Sequence, residues 1–170
     1  MYNRPMFTWD RRKSFTALIR PHLTAMYRAA WRWTRDRQTA EDLVQDVLLK
    51  LIDRTDEISR IEQLRPWLVR IVYRQFVDHY RRQQRSPVIL ADLDEMNTPA
   101  DDDPVMLTDR QRQLTGALEA INADQRDAIL LHDVEGYTAE EVATILEISI
   151  GTVKSRLHRG RHALRERLGD

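Results

Sequence analysis

Cysteine is absent from the 170-residue chain. That absence excludes a thiol redox switch, a cysteine-ligated zinc finger and an iron–sulfur cluster within it, and it fits a reducing compartment. Glycine is scarce, with 5 residues, and the chain has neither a glycine-rich phosphate loop nor a nucleophile elbow. No apolar run approaches the length of a membrane span. The opening stretch, MYNRPMFTWDRRK, lacks the apolar core of a signal peptide. These absences predict a soluble, cytoplasmic protein with no membrane insertion. Alternating strand-like runs are missing as well. What remains is a series of stretches in which apolar and charged residues recur with helical period, so the expected fold class is all-α.

Net charge is also missing, since 27 Lys and Arg balance 27 Asp and Glu. The zero conceals an asymmetry along the chain. Residues 1–87 carry a balance of +8, residues 88–108 a balance of −6, and residues 109–170 a balance of −2. The segment SPVILADLDEMNTPADDDPVMLT, residues 86–108, has three prolines, an Asp triplet and no helical periodicity. It is too long for an ordinary loop inside a compact domain, which marks a boundary. The expected organisation is two small helical domains, residues 10–87 and 109–168, joined by a flexible acidic linker at 88–108. A basic block, an acidic tether and a module with a basic tip suggest two nucleic-acid-facing modules.

The basic tip is the most informative stretch, YTAEEVATILEISIGTVKSRLHRGR at residues 137–161. Thr138 with Glu141 forms a capping-box pattern before Val142, Ile145 and Leu146. Glu147, Ile148 and Ser149 make a turn, and Ser149 is placed to cap a second helix. In that second helix Val153, Leu157 and Leu164 recur at core spacing, leaving Lys154, Ser155, His158 and Arg159 outward. A helix with an apolar seam on one side and cations on the other suits a major groove. The plainer alternative is a solvated amphipathic helix ending a small bundle. Upstream, helices are expected at about Asp109 to Ile121 and at Ala123 to Glu135. Asn122 is placed to cap the second of these, and Gly136 to stop it in the left-handed conformation.

The N-terminal block reads as three or four helices. Phe15, Leu18, Ile19, Leu23, Met26, Tyr27 and Ala30 form its first apolar series. Pro21 either ends a helix there or starts a new one. Thr39 is expected to cap AEDLVQDVLLKLIDR, whose buried side is Leu43, Val47, Leu48 and Leu51. Asp42, Gln45, Asp46 and Lys50 lie off that stripe. A long helix from Leu64 to Gln84 has Leu64, Leu68, Ile71, Val72, Phe76 and Tyr80 on a broad apolar face. Trp67, Arg70, Arg74, Asp78, Arg81 and Arg85 follow on another. Such a ladder suits melted nucleic acid, with cations on phosphates and aromatic rings stacked on bases. Equally, the aromatics could be core and the arginines a solvated face.

Taken in order, these stretches resemble the extracytoplasmic-function (ECF, group IV) sigma factors of the sigma-70 family. EGY, AEEVATIL and GTVKSRLHRGR resemble the family's fourth region. AEDLVQDVLLKL resembles the region that docks on RNA polymerase, and RPWLVRIVYRQFVDHYRR the region that melts and reads the −10 element. The resemblance implies two helical domains on a flexible linker, no cofactor, and a role in transcription initiation: binding core RNA polymerase at its clamp helices and flap, carrying it to promoter DNA and helping to open it. It implies clamp contacts by Asp42, Gln45 and Asp46, and −35 contacts by Lys154, Ser155, His158 and Arg159, with Thr152 and Arg156 on the backbone nearby. It implies −10 contacts by Trp67, Arg70, Arg74, Arg81 and Arg82, control by an anti-sigma factor, and a linker threading near the RNA path, where its acidity could mimic nucleic acid. Four positions depart from the common pattern: Arg74 stands for Asn, Glu147 for Gly, Gly160 for Ala and Asn122 for Pro. Gly160 is expected to cost its helix about 1 kcal/mol.

Two other readings compete. One is a helix-turn-helix regulator, or a sigma mimic that titrates an anti-sigma factor; the clamp-like helix weighs against the regulator. The other is an enzyme. The histidines at 22, 79, 132, 158 and 162 form no metal-ligand spacing, and His158 and His162 sit among arginines that repel a cation.

Overall fold

A computed structural model describes residues 6–85 and 108–169. They fall into two compact units, one on each side of the expected linker. That linker, up to residue 107, lies outside the described residues. Every regular element within them is helical, in agreement with the all-α expectation.

In the first unit α1 (Met6–Ile19) runs into a short 3₁₀ turn (Arg20–His22), then α2 (Leu23–Thr34), α3 (Arg37–Leu51), a second 3₁₀ turn (Ile52–Arg54), α4 (Thr55–Ile58) and α5 (Leu64–Arg85). Pro21 sits at the start of the first 3₁₀ turn, where its missing N–H costs nothing. The core lies among α2, α3 and α5. Met26, Ala29 and Ala30 meet Leu43, Val44, Val47 and Leu51, with Leu68, Val69 and Val72 closing the layer. Phe15 and Ile19 add α1 to it, and Ile58 adds α4. Val44 and Val69 extend the expected stripes by one column, because a helix packed against two neighbours buries a wider arc than one seam.

One expectation for this unit needs correction. Thr39 is not the cap of α3. Asp36 is, its carboxylate accepting the Thr39 N–H at 2.7 Å, so the helix starts before the apolar stripe does. The bonds from Thr39 hold the Asp36 carboxyl below the usual carboxylate range. Tyr73 belongs to the core side of α5. Its ring meets Trp33 edge-on at 5.0 Å, and Trp33 stacks on Phe76 at 6.1 Å. Phe76 in turn stacks on Tyr80 at 6.2 Å, carrying the row out to a ring that is 42% exposed.

The second unit holds α6 (Asp109–Glu119), α7 (Ala123–Ile129), a π turn (Leu130–Val134), α8 (Ala139–Leu146) and α9 (Ile150–Leu168). Thr108 and Gln111 close a capping box on α6, and Asn122 caps α7 through the Asp124 N–H, as its side chain allows. The expected helix to Glu135 is α-helical only to Ile129 and then widens into the π turn. Gly136 then takes a left-handed φ of 75° and releases the chain. Ile121, Ala128, Ile129, Leu131, Tyr137, Val142, Ile145, Leu146, Val153 and Leu157 form the core.

Gly160 is buried where α9 crosses α7. A Cβ there would lie 2.7 Å from Ile129 Cδ1 and 3.1 Å from Gln125 Cβ. The propensity cost of this glycine is therefore set against a helix contact too close for a side chain. Glu147 carries the opposite imbalance, with a left-handed φ of 57° in a residue that has a Cβ. Gly160→Leu should destabilise this unit by about 1–3 kcal/mol through overpacking, and Glu147→Gly should stabilise it by about 1 kcal/mol. Urea unfolding of the two variants against the parent checks both signs.

Candidate nucleic-acid interface

The helix-turn-helix is built by local hydrogen bonds. Thr138 Oγ1 accepts the Glu141 N–H at 3.1 Å, and Glu141 Oε2 accepts the Thr138 N–H at 2.8 Å. The two bonds fix the start of α8. At its end Glu147 turns left-handed, and the Ile148 N–H bonds back to the Ala143 carbonyl at 3.1 Å. Ser149 Oγ then accepts the Thr152 N–H at 3.1 Å and starts α9. The expected caps are thus all present on this motif.

Val153 and Leu157 are buried, which turns Lys154, Ser155, His158 and Arg159 outward together on α9. The Ser155 hydroxyl donates to the Thr152 carbonyl at 2.9 Å, and Arg159 reaches back to the Ser155 carbonyl at 3.3 Å. Thr152 is half-buried, its hydroxyl 2.8 Å from that of Ser149. Leu164 is only half-buried. Ile150, 40% exposed, opens α9 beside the exposed Gly151. Periodicity did not flag these two residues, because Ile150 falls off the buried stripe.

Arg156, expected near the nucleic-acid backbone, is engaged within the unit. Its guanidinium bonds Asp124 at the start of α7, and its side chain is 19% exposed. One and a half turns on, Arg161 forks onto both carboxylate oxygens of Asp133 in the π turn. The Arg161 bond holds the Asp133 carboxyl below its ordinary range against the opposing effect of burial, helped by the charges of Arg161 and His132. The same bond raises the guanidinium of Arg161. His132 Nδ1 lies 2.6 Å from the Tyr137 carbonyl, which pairs it as the donor in that bond. His162 faces Glu166 at 3.4 Å, four residues along the same helix.

On α5 the sequence-predicted row divides by depth. Trp67 and Arg70 are half-buried, while Arg74, Asp78, Arg81 and Arg82 are exposed. Trp67, Arg70, Arg74 and Arg81 share one side, away from the Tyr73–Phe76–Tyr80 row.

On α3 Asp42, Gln45 and Asp46 are exposed on one face. Gln38 donates to Asp42 at 3.0 Å. Lys50 donates to Gln75 of α5 at 2.7 Å, and Gln75 lies at 3.5 Å, a weak bond, from Asp46. Leu49 continues the acidic face at one further helical step and is 71% exposed. It was missed because a second leucine beside Leu48 reads as part of the core; its position off the stripe was the available signal.

Comparison with known proteins places these surfaces in a family. The models for "Sigma-70 region 2" and "Sigma-70, region 4" match residues 18–86 and 111–164. The sigma factor CarQ of Myxococcus xanthus is 32% identical over 92% of this chain and 90% of its own length. The ECF sigma factor SigL of Mycobacterium tuberculosis is 32% identical over 88% and 85%. The ECF sigma factor SigE of Mycolicibacterium smegmatis is 33% identical over 96% of this chain, which spans 62% of that longer protein. Among solved structures, the sigma factor RpoE of Bartonella quintana, crystallised with the anti-sigma factor NepR, matches with a TM-score of 0.69 and 30% identity over 92% of this chain and 98% of its own. The chain therefore belongs to the ECF RNA polymerase sigma factors of the sigma-70 family, a family of transcription initiation factors.

The Asp133–Arg161 link has a defined pH dependence. Because the folded-state carboxyl titrates below its unfolded value, the stability it contributes is present above about pH 4 and is lost as pH falls through the lower folded value. Asp133→Asn should thus melt below the parent at pH 7, by about 1 kcal/mol or less, and the two melting curves should converge on acidification below pH 4.

Proposed function

We propose that this chain is a group IV alternative sigma factor acting in the cytoplasm, with no catalytic chemistry or cofactor of its own. It binds core RNA polymerase, directs it to a set of promoters and assists their opening. The observation that carries this reading is the sign of three exposed helix faces: acidic on α3, cationic on α5 and cationic on α9. Carboxylates repel phosphate, so Asp42, Gln45 and Asp46 suit the polymerase clamp helices and not DNA. Leu49 beside them supplies the apolar surface that a protein interface needs at its centre.

The outer face of α9 holds the −35 element. Lys154, Ser155, His158 and Arg159 reach the groove, and the hydroxyl of Thr152 lies beside them at the capped start of the helix. Ile150, in the first turn, suits contact with a thymine methyl. Arg156 acts at one remove, bracing α9 against α7 through Asp124. Trp67, Arg70 and Arg74, with Arg81 and Arg82, hold the −10 element as it melts. Arg74 favours phosphate or guanine over the adenine that an amide would pair with. The domains take the bounds 10–87 and 109–168, and the acidic segment between them tethers the two grips. Binding by an anti-sigma factor, as occurs with the Bartonella quintana relative, is part of the same proposal.

Run-off transcription with purified core enzyme separates this reading from a helix-turn-helix regulator or a sigma mimic. A sigma factor yields a transcript from a defined start; the alternatives yield none. Lys154→Ala should cost roughly 1–3 kcal/mol of binding to −35 DNA. Asp46→Arg should weaken the complex with core enzyme while leaving the melting temperature within a few degrees of the parent, and unchanged core affinity would remove the α3 face from the interface.

A further inference from the structure

A second cationic surface lies on α1, outside the faces assigned above. Phe15 and Ile19 bury one side of this helix. The other side presents Arg12, Lys13, Thr16, Ala17 and Arg20, all exposed, and these five line a depression of about 450 Å³. Arg12, Thr16 and Arg20 stand in one row at four-residue steps, with Lys13 and Ala17 beside them. None of the three cations has an acidic partner among the described residues. Among the described residues the lining of this depression is a shallow trough of three cations with the small side chains of Thr16 and Ala17 between them.

The lining selects the kind of ligand. A protein interface is anchored by large apolar or aromatic side chains, and the described lining of this trough, residues 12–20, has none. A phosphodiester backbone asks for cations, and for hydroxyl donors of the sort Thr16 offers. The row from Arg12 to Arg20 spans about 12 Å of helix, enough for about three phosphates of one strand at 3.4 Å of rise each. The 3₁₀ turn that continues α1 carries the field onward. His22 in that turn is held below its ordinary range by burial and then by the charge of Arg65, which places Arg65, in the first turn of α5, within electrostatic reach.

We infer that the α1 trough is a sequence-independent phosphate grip for promoter DNA next to the segment held by α5. This inference rests on the −10 assignment of α5, and its test keeps the two apart. The triple variant Arg12→Gln/Lys13→Gln/Arg20→Gln retains helix-forming side chains and leaves Phe15 and Ile19 in place. Its holoenzyme, formed with core polymerase, is titrated with fork-junction promoter DNA over a range of salt concentrations, beside Trp67→Ala and the parent. The triple variant should bind about equally more weakly to forks of differing −10 sequence. Its plot of log affinity against log salt should be shallower by about 2 to 3, as expected when about three phosphate contacts are lost. Thr16→Glu, one carboxylate between the cations of the trough, should weaken binding in the same sequence-independent way. An unchanged salt slope and fork affinity in the triple variant, with Trp67→Ala defective, overturns the grip and leaves the −10 assignment standing. Loss of core affinity at an unchanged salt slope also overturns it, by making the trough a protein contact. If Trp67→Ala binds like the parent while the triple variant is weakened, the −10 assignment fails and the grip remains.

Discussion

The outward face of α9 depends on how closely that helix approaches α7. At Gly160 the two helices run close, and an added Cβ would press on Ile129 Cδ1 at 2.7 Å and Gln125 Cβ at 3.1 Å. Two ion pairs flank that contact, Arg156 with Asp124 before it and Arg161 with Asp133 after it. A close apolar approach sets the distance between the helices. The flanking pairs, each made of a long side chain held at its far end, set the roll of α9 about its axis. Roll decides which residues point outward, so the exposed group Lys154, Ser155, His158 and Arg159 follows from contacts made elsewhere on the helix. Surface ion pairs add little stability individually; here their value is orientation.

Much of this was readable in the sequence, and the reasons are local. Capping is a contact between near neighbours, so Thr138 with Glu141, Ser149, and Asn122 were visible as patterns and appear as bonds. Helix α5 has its expected start at Leu64 and ends one residue beyond the expected Gln84, since twenty residues of unbroken periodicity leave little ambiguity. What escaped depends on partners distant in the chain. Gly160 looked like a propensity defect until Ile129 stood opposite it. The partner of Arg156 was invisible because Asp124 lies 32 residues away in the chain. The π turn has no periodic signature, and Asp36 lost to Thr39 because the helix begins before its apolar stripe. The aromatic residues of α5 divided according to which neighbour they meet: Tyr73 turned to Trp33, while Trp67 stayed half in solvent.

The formal neutrality of the chain is best understood as a separation of signs. Each long helix buries an apolar stripe and must place its charges on what remains. On α3 the remainder is acidic, and on α1, α5 and α9 it is largely basic. Distributed evenly, the same residues would screen one another within a Debye length, about 8–10 Å. Sorted onto separate helix faces, they give one small protein surfaces suited to partners of opposite charge.

The π turn at Leu130–Val134 makes the chain length between α7 and α8 a fixed quantity. A π turn holds one more residue than the α-helical turn it replaces. Removing a residue there would restore regular pairing but swing every following side chain by about 100° around the helix. Asp133 would leave Arg161, and His132 would leave the Tyr137 carbonyl. The motif downstream would keep its own caps and turn, yet would be presented from a different angle. In this segment the spacing is itself structural information, so a single deletion would be felt more than most substitutions.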